Sequence, residues 1–375
     1  MDCSKSEQIP LSRRLFLSRF GLSAGAAAAA CGLPGCAASR RIAAVRQPPN
    51  VNPGGSRVSF ATGFDRRQII HEAMSPFREN LAAAIRGRQV IIKLNCVGQE
   101  GKLLMVTHPD AVRGVLDFLE PICDRTVIIG ETPVQNNNPE RTFETFGYLP
   151  LEREYNARCV DLNDASPIQY WVLDNQLNPR PIRIAPVLTD PDNFVISVTR
   201  LKTHNCVVAT LSLKNVVMGA PIKIPRLNIN DKRFMHGSGD GPNSMKIINL
   251  NLFQLAHRIY PDFAVIDGVE GVDGNGPANG DPVDHGVALA GHDYIAVDRI
   301  GVELMGIDWN DIGYLSWAGD GVLGNGSLDR ITVTGGDYRK HIRKYRLHDN
   351  IESQLGWKKD IALSPLDELK EKLNR

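Results

Sequence analysis

Two short apolar runs separated by one helix's worth of chain do most to limit the fold. QVIIKLN (89–95) and RTVIIGE (125–131) are strand-length and rich in β-branched residues. Between them His108-Pro109 opens a segment in which Val112, Val115, Leu116 and Leu119 recur at helical spacing, and proline suits a first helical turn. A strand, a helix and a strand in that order form a right-handed crossover with parallel strands. The pattern continues. NFVISVTR (193–200), FAVIDG after Pro261, GVALAG and DRITVTG (329–335) read as strands, and a helix is expected from about Tyr294 to Met305. Upstream, Ile69, Ile70, Met74, Phe77 and Leu81 share a helical stripe that Pro76 should kink or split. In between, IQYWVLDNQLNPRPIRIAPVL alternates and turns near Asn178-Pro179, as an antiparallel hairpin does. The expected fold class is therefore α/β: a mostly parallel open sheet with helices on both faces and an inserted antiparallel hairpin.

The N-terminus reads differently. Ser12-Arg13-Arg14-Leu15-Phe16-Leu17 has the form of a twin-arginine export signal, and GLSAGAAAAACGLPG after it is apolar but too short for an ordinary membrane span. Twin-arginine export carries folded proteins, often with a cofactor already in place. Leu33-Pro34-Gly35-Cys36 is similar to a lipobox, which would make Cys36 a membrane lipid anchor; plain cleavage at the following Ala-Ala-Ser is the other reading. The expected division is a leader over 1–38, a flexible tether over 39–57, one α/β domain over 58–340 with an insertion at about 150–190, and a C-terminal extension over 341–375. The expected location is periplasmic or membrane-anchored.

Charge and cysteines narrow the function classes. A formal net charge of +1 gives no electrostatic basis for a nucleic-acid partner. Cys96, Cys123, Cys159 and Cys206 follow the leader, with no C-x-x-C pair, so neither a disulfide scaffold nor an evident zinc or iron–sulfur signature is present. RKHIRKYR reads as a solvated face, contact with an anionic membrane being the alternative.

Open parallel sheets bind ligands beyond the carboxyl ends of their strands. The residues there are Lys93, Asn95 and Cys96 after the first strand, and Glu131 after the second. Lys202 and His204 follow 193–200, and Asp267 and Glu270 follow the strand after Pro261. Asn205 is expected to cap a helix from about Cys206 to Met218 whose N-terminus favours an anion. On that reading Lys202 and Lys214 stand about 18 Å apart, too far for one small anion to touch both. Lys214 and Asn215 could instead serve the helix C-terminus, and His204 could be a capping residue. GVDGNGPANGD could be a phosphate loop or an ordinary tight connection, and Asp273, Asn275 and Asp281 lack the spacing of an EF-hand. HGSGDG (236–241) puts His236 in a loop.

The motifs IIKLNCVG, THPDAVRGVLDFL, LKTHNCVVATLSLKNVVMGAP, DFAVIDGVEGVDGNGP and VALAGHDYIAVDRIGVELMGID together resemble domain-of-unknown-function family 362 over roughly residues 88–335. The resemblance implies an α/β fold and a link to redox or metal contexts, with no agreed reaction. It puts Lys93, Asn95, Lys202, His204, Lys214, Asn215, Asp267, Glu270, Asn275 and Asp298 at the family's marked positions. Many members carry a C-terminal ferredoxin-like four-cysteine module. No cysteine follows Cys206 here, so no ferredoxin-type cluster is expected. The run Lys-Leu-Asn-Cys departs from the family's lysine, proline and asparagine.

Two readings follow. The first is an exported enzyme, a metal- or cofactor-dependent oxidoreductase among the candidates. In it His204, Lys202 and Asp267 are catalytic and Lys93, Asn95, Glu131, Lys214, Asn215 and Asn275 hold a cofactor or anion. A divalent metal, if bound, falls to His204, His236, Asp267 and Glu270. The second is a lipid-anchored protein that binds a metal or small anion and catalyses nothing.

Overall fold

A computed structural model describes residues 46, 47, 49, 51–96, 102–132, 139–164, 166–224, 227, 229–237, 244–319 and 321–358. The leader with Arg13, Arg14 and Cys36, the greater part of the 236–241 loop, and the last residues from 359 lie outside the described residues.

One twisted sheet organises the chain. Its strands are β1 (Ser56–Thr62), β2 (Gln89–Lys93), β3 (Val127–Glu131), β4 (Ala157–Asp161), β7 (Asn193–His204), β11 (Phe263–Asn275), β12 (Asn279–Gly291) and β13 (Ile331–Thr334). Two short antiparallel sheets lie outside it: β5 (Ile168–Leu173) with β6 (Pro179–Ile184), and β9 (Lys223–Ile224) with β10 (Ile229–Asn230). A further strand, β8 (Val208–Thr210), folds back on the end of β7. The order across the main sheet is β13-β1-β12-β11-β7-β2-β3-β4. Along it only β12 runs against its neighbours; every other adjacent pair is parallel. The α/β class, the mostly parallel sheet and the antiparallel hairpin are as the sequence indicates. The hairpin turns at residues 174–178.

Helices cover both faces. α1 (Arg66–Met74), α2 (Arg78–Ile85) and α3 (Pro109–Leu119) pack on one; α4 (Ser212–Gly219), α5 (Ser244–Ala256) and α6 (Tyr294–Leu304) pack on the other. Local chemistry sets their starts. Asp65 accepts the Gln68 N–H ahead of α1, His108 Nδ1 accepts the Asp110 N–H ahead of α3, and Asp293 accepts the Ile295 and Ala296 N–H groups ahead of α6. Pro76 splits the first expected helix, as its missing N–H and ring require. The central strands are apolar on both faces: Val90 and Ile92 meet the α1–α3 layer and Ile91 meets the α4–α6 layer.

Four elements differ from the sequence reading. β1, of which only Ser56 and Arg57 fall in the expected tether, and β4, inside the expected insertion, are strands that the sequence reading does not give, and Arg46, within the expected tether, is buried against the Tyr260 ring and paired with Asp262 at 2.6 Å. The Gly-rich run after Asp267 is no phosphate loop: β11 and β12 continue through it as a long ribbon whose tip is residues 276–278. Tyr345 seals that ribbon, its hydroxyl where a Cβ on Gly271 would lie, and Arg346 pairs with both Asp273 and Asp281. The basic C-terminal run is thus partly docked on the domain. Finally, the helix expected from Cys206 begins only at Ser212, because β7 runs on to His204 and turns back as β8.

The chain reverses direction across the sheet between β2 and β7: β2, β3 and β4 step one way, β7 and β11 the other. At such a switch point the carboxyl ends of adjacent strands part and leave a crevice.

Candidate functional site

A cleft of about 400 Å³ opens at that crevice. Its lining includes Lys93 and Asn95 after β2, Glu131 at the end of β3, Lys202 and His204 at the end of β7, and Lys214, Asn215 and Gly219 from α4. Asn230, Lys232, Arg233 and His236 close one side, and Pro277 and Ala278 at the ribbon tip close another.

Hydrogen bonds fix the floor. Lys93 Nζ donates to Glu131 Oε1 at 2.6 Å and to the Leu94 carbonyl at 2.6 Å. The same carboxylate accepts the backbone N–H groups of Cys96 at 2.8 Å and Thr132 at 2.7 Å. Gly219 leaves room for this pair: a Cβ there would lie 2.2 Å from Lys93 Cε. Asn95 and Asn215 form a second layer. Asn95 Nδ2 donates to Asn215 Oδ1 at 3.1 Å, and Asn215 Nδ2 donates to the Lys93 carbonyl at 3.1 Å and to Ser197 Oγ at 3.0 Å. Lys202 Nζ donates to Asn95 Oδ1 and to the Met105 carbonyl. Lys232 Nζ donates to Thr132 Oγ1 at 2.6 Å and to the Met218 carbonyl at 3.1 Å.

The charge balance is lopsided. Among the described residues, four lysines and an arginine line the cleft against one carboxylate, Glu131, which Lys93 already occupies. Lys202, Lys214 and Lys232 are at most 5% exposed. Burial lowers Lys202 to about 7, with Lys214 and Arg200 adding to the effect. It lowers Lys232 to about 7 and Lys214 to about 8. Burial and the neighbouring Lys214 hold His204 well below the usual imidazole range. Two buried acceptors in the lining, Thr210 Oγ1 and Asn230 Oδ1, have no hydrogen-bond partner among the described residues.

Lys214 and His204 meet directly, Nζ to Nε2 at 3.0 Å, while His204 Nδ1 accepts the Cys206 N–H at 3.0 Å. An imidazole accepting at Nδ1 carries its remaining proton on Nε2. Nε2–H therefore points at Lys214, and only the free amine can accept it. With Lys214 near 8, that form is accessible close to neutral pH.

The structure gathers Lys93, Asn95, Glu131, Lys202, His204, Lys214, Asn215 and His236 around one cleft. Three expected members lie elsewhere. Asp267 shares the strand face of Val265 and Val269, toward α1, where it is fully buried against Arg66 at 2.9 Å and accepts the Val269 N–H. Glu270, beyond a bulge, pairs with Arg200 at 3.2 Å. Asn275 exchanges two hydrogen bonds with Asp349. Each is consumed by a structural contact.

The expected separation of Lys202 and Lys214 is also corrected. In place of a helix, the β7–β8 turn pairs Lys202 with Thr210 and brings α4 back over the strand end. Val208 takes a left-handed φ of 65° in the return, and its N–H is held by Gln354 Oε1 at 2.7 Å. Lys214 and Asn215 consequently occupy the first turn of α4, not its last. The α4 N-terminus is not open to a ligand: Asp298 on α6 accepts the Ser212 N–H at 2.8 Å and the Leu213 N–H at 3.0 Å. The last turn of α4 also meets the cleft, where the Met218 carbonyl accepts Lys232 Nζ and the Gly219 carbonyl accepts Thr132 Oγ1.

A metal is a poor fit. Among the described residues no three His, Cys, Asp or Glu side chains come together as ligands. Of the four expected ligands only His204 and His236 reach the cleft, both nitrogens of His204 are engaged, and the surrounding amines repel a cation. Sequence reasoning missed Lys232, Arg233 and Thr210. The adjacent basic pair in NINDKRFMH was the one available signal for Lys232.

Residues 90–303 match the family described as Domain of unknown function (DUF362). The chain is 25% identical over 223 residues to the thylakoid-associated protein sll1697 of Synechocystis sp., a match covering 59% of this chain and 64% of that protein. The chain thus spans under two thirds of that relative's length. Among solved structures, the lactate racemase apoprotein of Thermoanaerobacterium thermosaccharolyticum aligns with a TM-score of 0.38 at 13% identity, over 66% of this chain and 59% of that one. A Thermotoga maritima protein aligns with a TM-score of 0.35 at 12% identity, over 54% of this chain and 51% of that one.

Proposed function

The chain belongs to the DUF362 family, and from that premise we propose that it is an exported protein whose working site is an anion-binding cleft at the β2/β7 switch point. One observation carries the reading: three buried lysines face a cavity whose single carboxylate among the described residues is already paired. An anion entering the cleft supplies the missing counter-charge. Each lysine it engages returns toward its ordinary pKa, so binding takes up protons. A carboxylate or phosphate of metabolite size matches the volume and the donors, while Thr210 and Asn230 suit a hydroxyl or amide on the same ligand.

Titration calorimetry with inorganic phosphate and with malonate tests this. Lys232→Met and Lys202→Met should each weaken binding about 10- to 100-fold, the worth of one charge-assisted hydrogen bond. Affinity should fall as pH rises from 7 to 9, with proton uptake seen as a dependence of the heat on buffer ionisation. Absence of binding by either anion at millimolar concentration would overturn the proposal.

Export is the second part of the reading. It rests on Arg13 and Arg14 before a weakly apolar run and on Cys36 in a lipobox-like setting. The name of the Synechocystis relative, thylakoid-associated, suits a protein stationed at a membrane. Replacing Arg13 and Arg14 together by lysine should leave precursor in the cytoplasm, and Cys36→Ser should release the protein from membranes. Normal export of the double variant, or a soluble wild-type chain starting beyond Cys36, would remove the corresponding part.

A further inference from the structure

Lys214 stands apart from the other amines of the cleft. Lys93 is committed to Glu131, and Lys202 and Lys232 each donate to neutral oxygens that an ammonium satisfies. Among the described residues Lys214 Nζ hydrogen-bonds to His204 Nε2, and with Nδ1 accepting the Cys206 N–H that contact requires a free amine. The position reinforces this. Lys214 lies in the first turn of α4, where the helix dipole disfavours a cation, and it shares the cleft with three other lysines. A desolvated lysine beside other cations is the usual setting of an amine nucleophile.

We propose that Lys214 is a nucleophilic amine that condenses with the carbonyl of a small 2-oxo carboxylate held in the cleft. This rests on the anion-binding reading above and names the ligand class. The carboxylate is held by Lys202 and Lys232, and the adjacent carbonyl is presented to Nζ. The amine lone pair forms the C–N bond and the carbonyl π electrons move to oxygen. That oxygen then leaves as water with the two amine protons, giving an imine. No oxidant or reductant is required. The amine swings off His204 to attack, so His204 is a positioning residue whose Nε2–H holds Nζ in its unprotonated form.

The test is borohydride reduction of the full chain in the presence of pyruvate, followed by intact mass and peptide mapping, with pyruvate binding measured separately by calorimetry. The expected result is one carboxyethyl group per chain, located on Lys214, suppressed by excess phosphate and absent in Lys214→Met. His204→Phe should retain the fold by circular dichroism and trap the adduct at least tenfold more slowly near neutral pH, with recovery toward pH 10 as the amine deprotonates unaided. Pyruvate binding without an adduct on Lys214 would overturn the nucleophile and leave the anion cleft standing. No pyruvate or phosphate binding would overturn both. Adducts scattered over exposed lysines at equal yield would also count against the proposal.

Discussion

Replacing Glu131 by glutamine removes one charge from the floor of the cleft while keeping its shape, and its cost can be worked out atom by atom. Glu131 Oε1 receives Lys93 Nζ at 2.6 Å and the Thr132 N–H at 2.7 Å, and Oε2 receives the Cys96 N–H at 2.8 Å. Glutamine has one acceptor oxygen. Set at the Oε1 position, it serves Lys93 and Thr132, but its NH2 then faces the Cys96 N–H, donor against donor. The larger effect is electrostatic. The Lys93 side chain is 1% exposed, sits beneath Gly219, and keeps only the Leu94 carbonyl as a second acceptor. Removing one partner of a buried ion pair costs about 3–5 kcal/mol, and the stranded Cys96 N–H lies within that figure. The assay is urea unfolding of the wild type, Glu131→Gln, Lys93→Met and the double variant at pH 7. Lys93→Met should cost less than Glu131→Gln, because the carboxylate keeps two N–H donors. The double variant should recover at least half of the Glu131→Gln loss, since methionine needs no counter-charge. A Glu131→Gln protein within about 1 kcal/mol of wild type at an unchanged m-value would refute the ionic account of this pair.

Two further outcomes follow from the same cleft. Lys202 and Lys232 near 7 and Lys214 near 8 lie well below a free lysine. Between about pH 7 and 10 the unfolded chain therefore binds more protons than the folded one, and ligand-free stability should rise with pH. The slope is up to about 1.4 kcal/mol per pH unit for each lysine that titrates, and the gain is lost as pH falls through 7. Thermal unfolding with and without saturating phosphate checks this, since a bound anion should flatten the slope; a ligand-free protein that loses stability across that range would contradict it. Gly219→Ala places a Cβ 2.6 Å from Lys93 Nζ and should expel the ammonium from Glu131, costing about 1–3 kcal/mol. Most of that cost should vanish in a Lys93→Ala background, and a cost that persists there would point to a backbone effect instead.

Local signals were enough for the architecture. Apolar runs of strand length, a proline at a helix start and polar residues at strand ends are properties of neighbouring residues, and they yielded a parallel α/β sheet. They also yielded Lys93, Asn95, Glu131, Lys202 and His204 at strand ends; the family resemblance added Lys214 and Asn215, and the fold gathers all of these, with His236, around one cleft. The period-two alternation of β11 could have shown more. Asp267 has the parity of Val265 and Val269, so it faces α1 and not the cleft.

What remained was decided by contacts between segments far apart in sequence. VVAT after Cys206 is compatible with a helical turn, yet it returns as β8 because β7 offers it an open edge and residues near the C-terminus hold the bend. Gln354 accepts the Val208 N–H, and Asn350 donates to the Asn205 carbonyl. That bend carries Lys214 from an expected helix-length away to hydrogen-bonding distance of His204. Asp298 likewise occupies the α4 N-terminus from another helix. Lys232 enters the cleft only because its short helical segment docks against Thr132 and the Met218 carbonyl. Periodicity reports which face of an element is apolar. It does not report which elements meet, and the charge state of these buried lysines is set by that meeting.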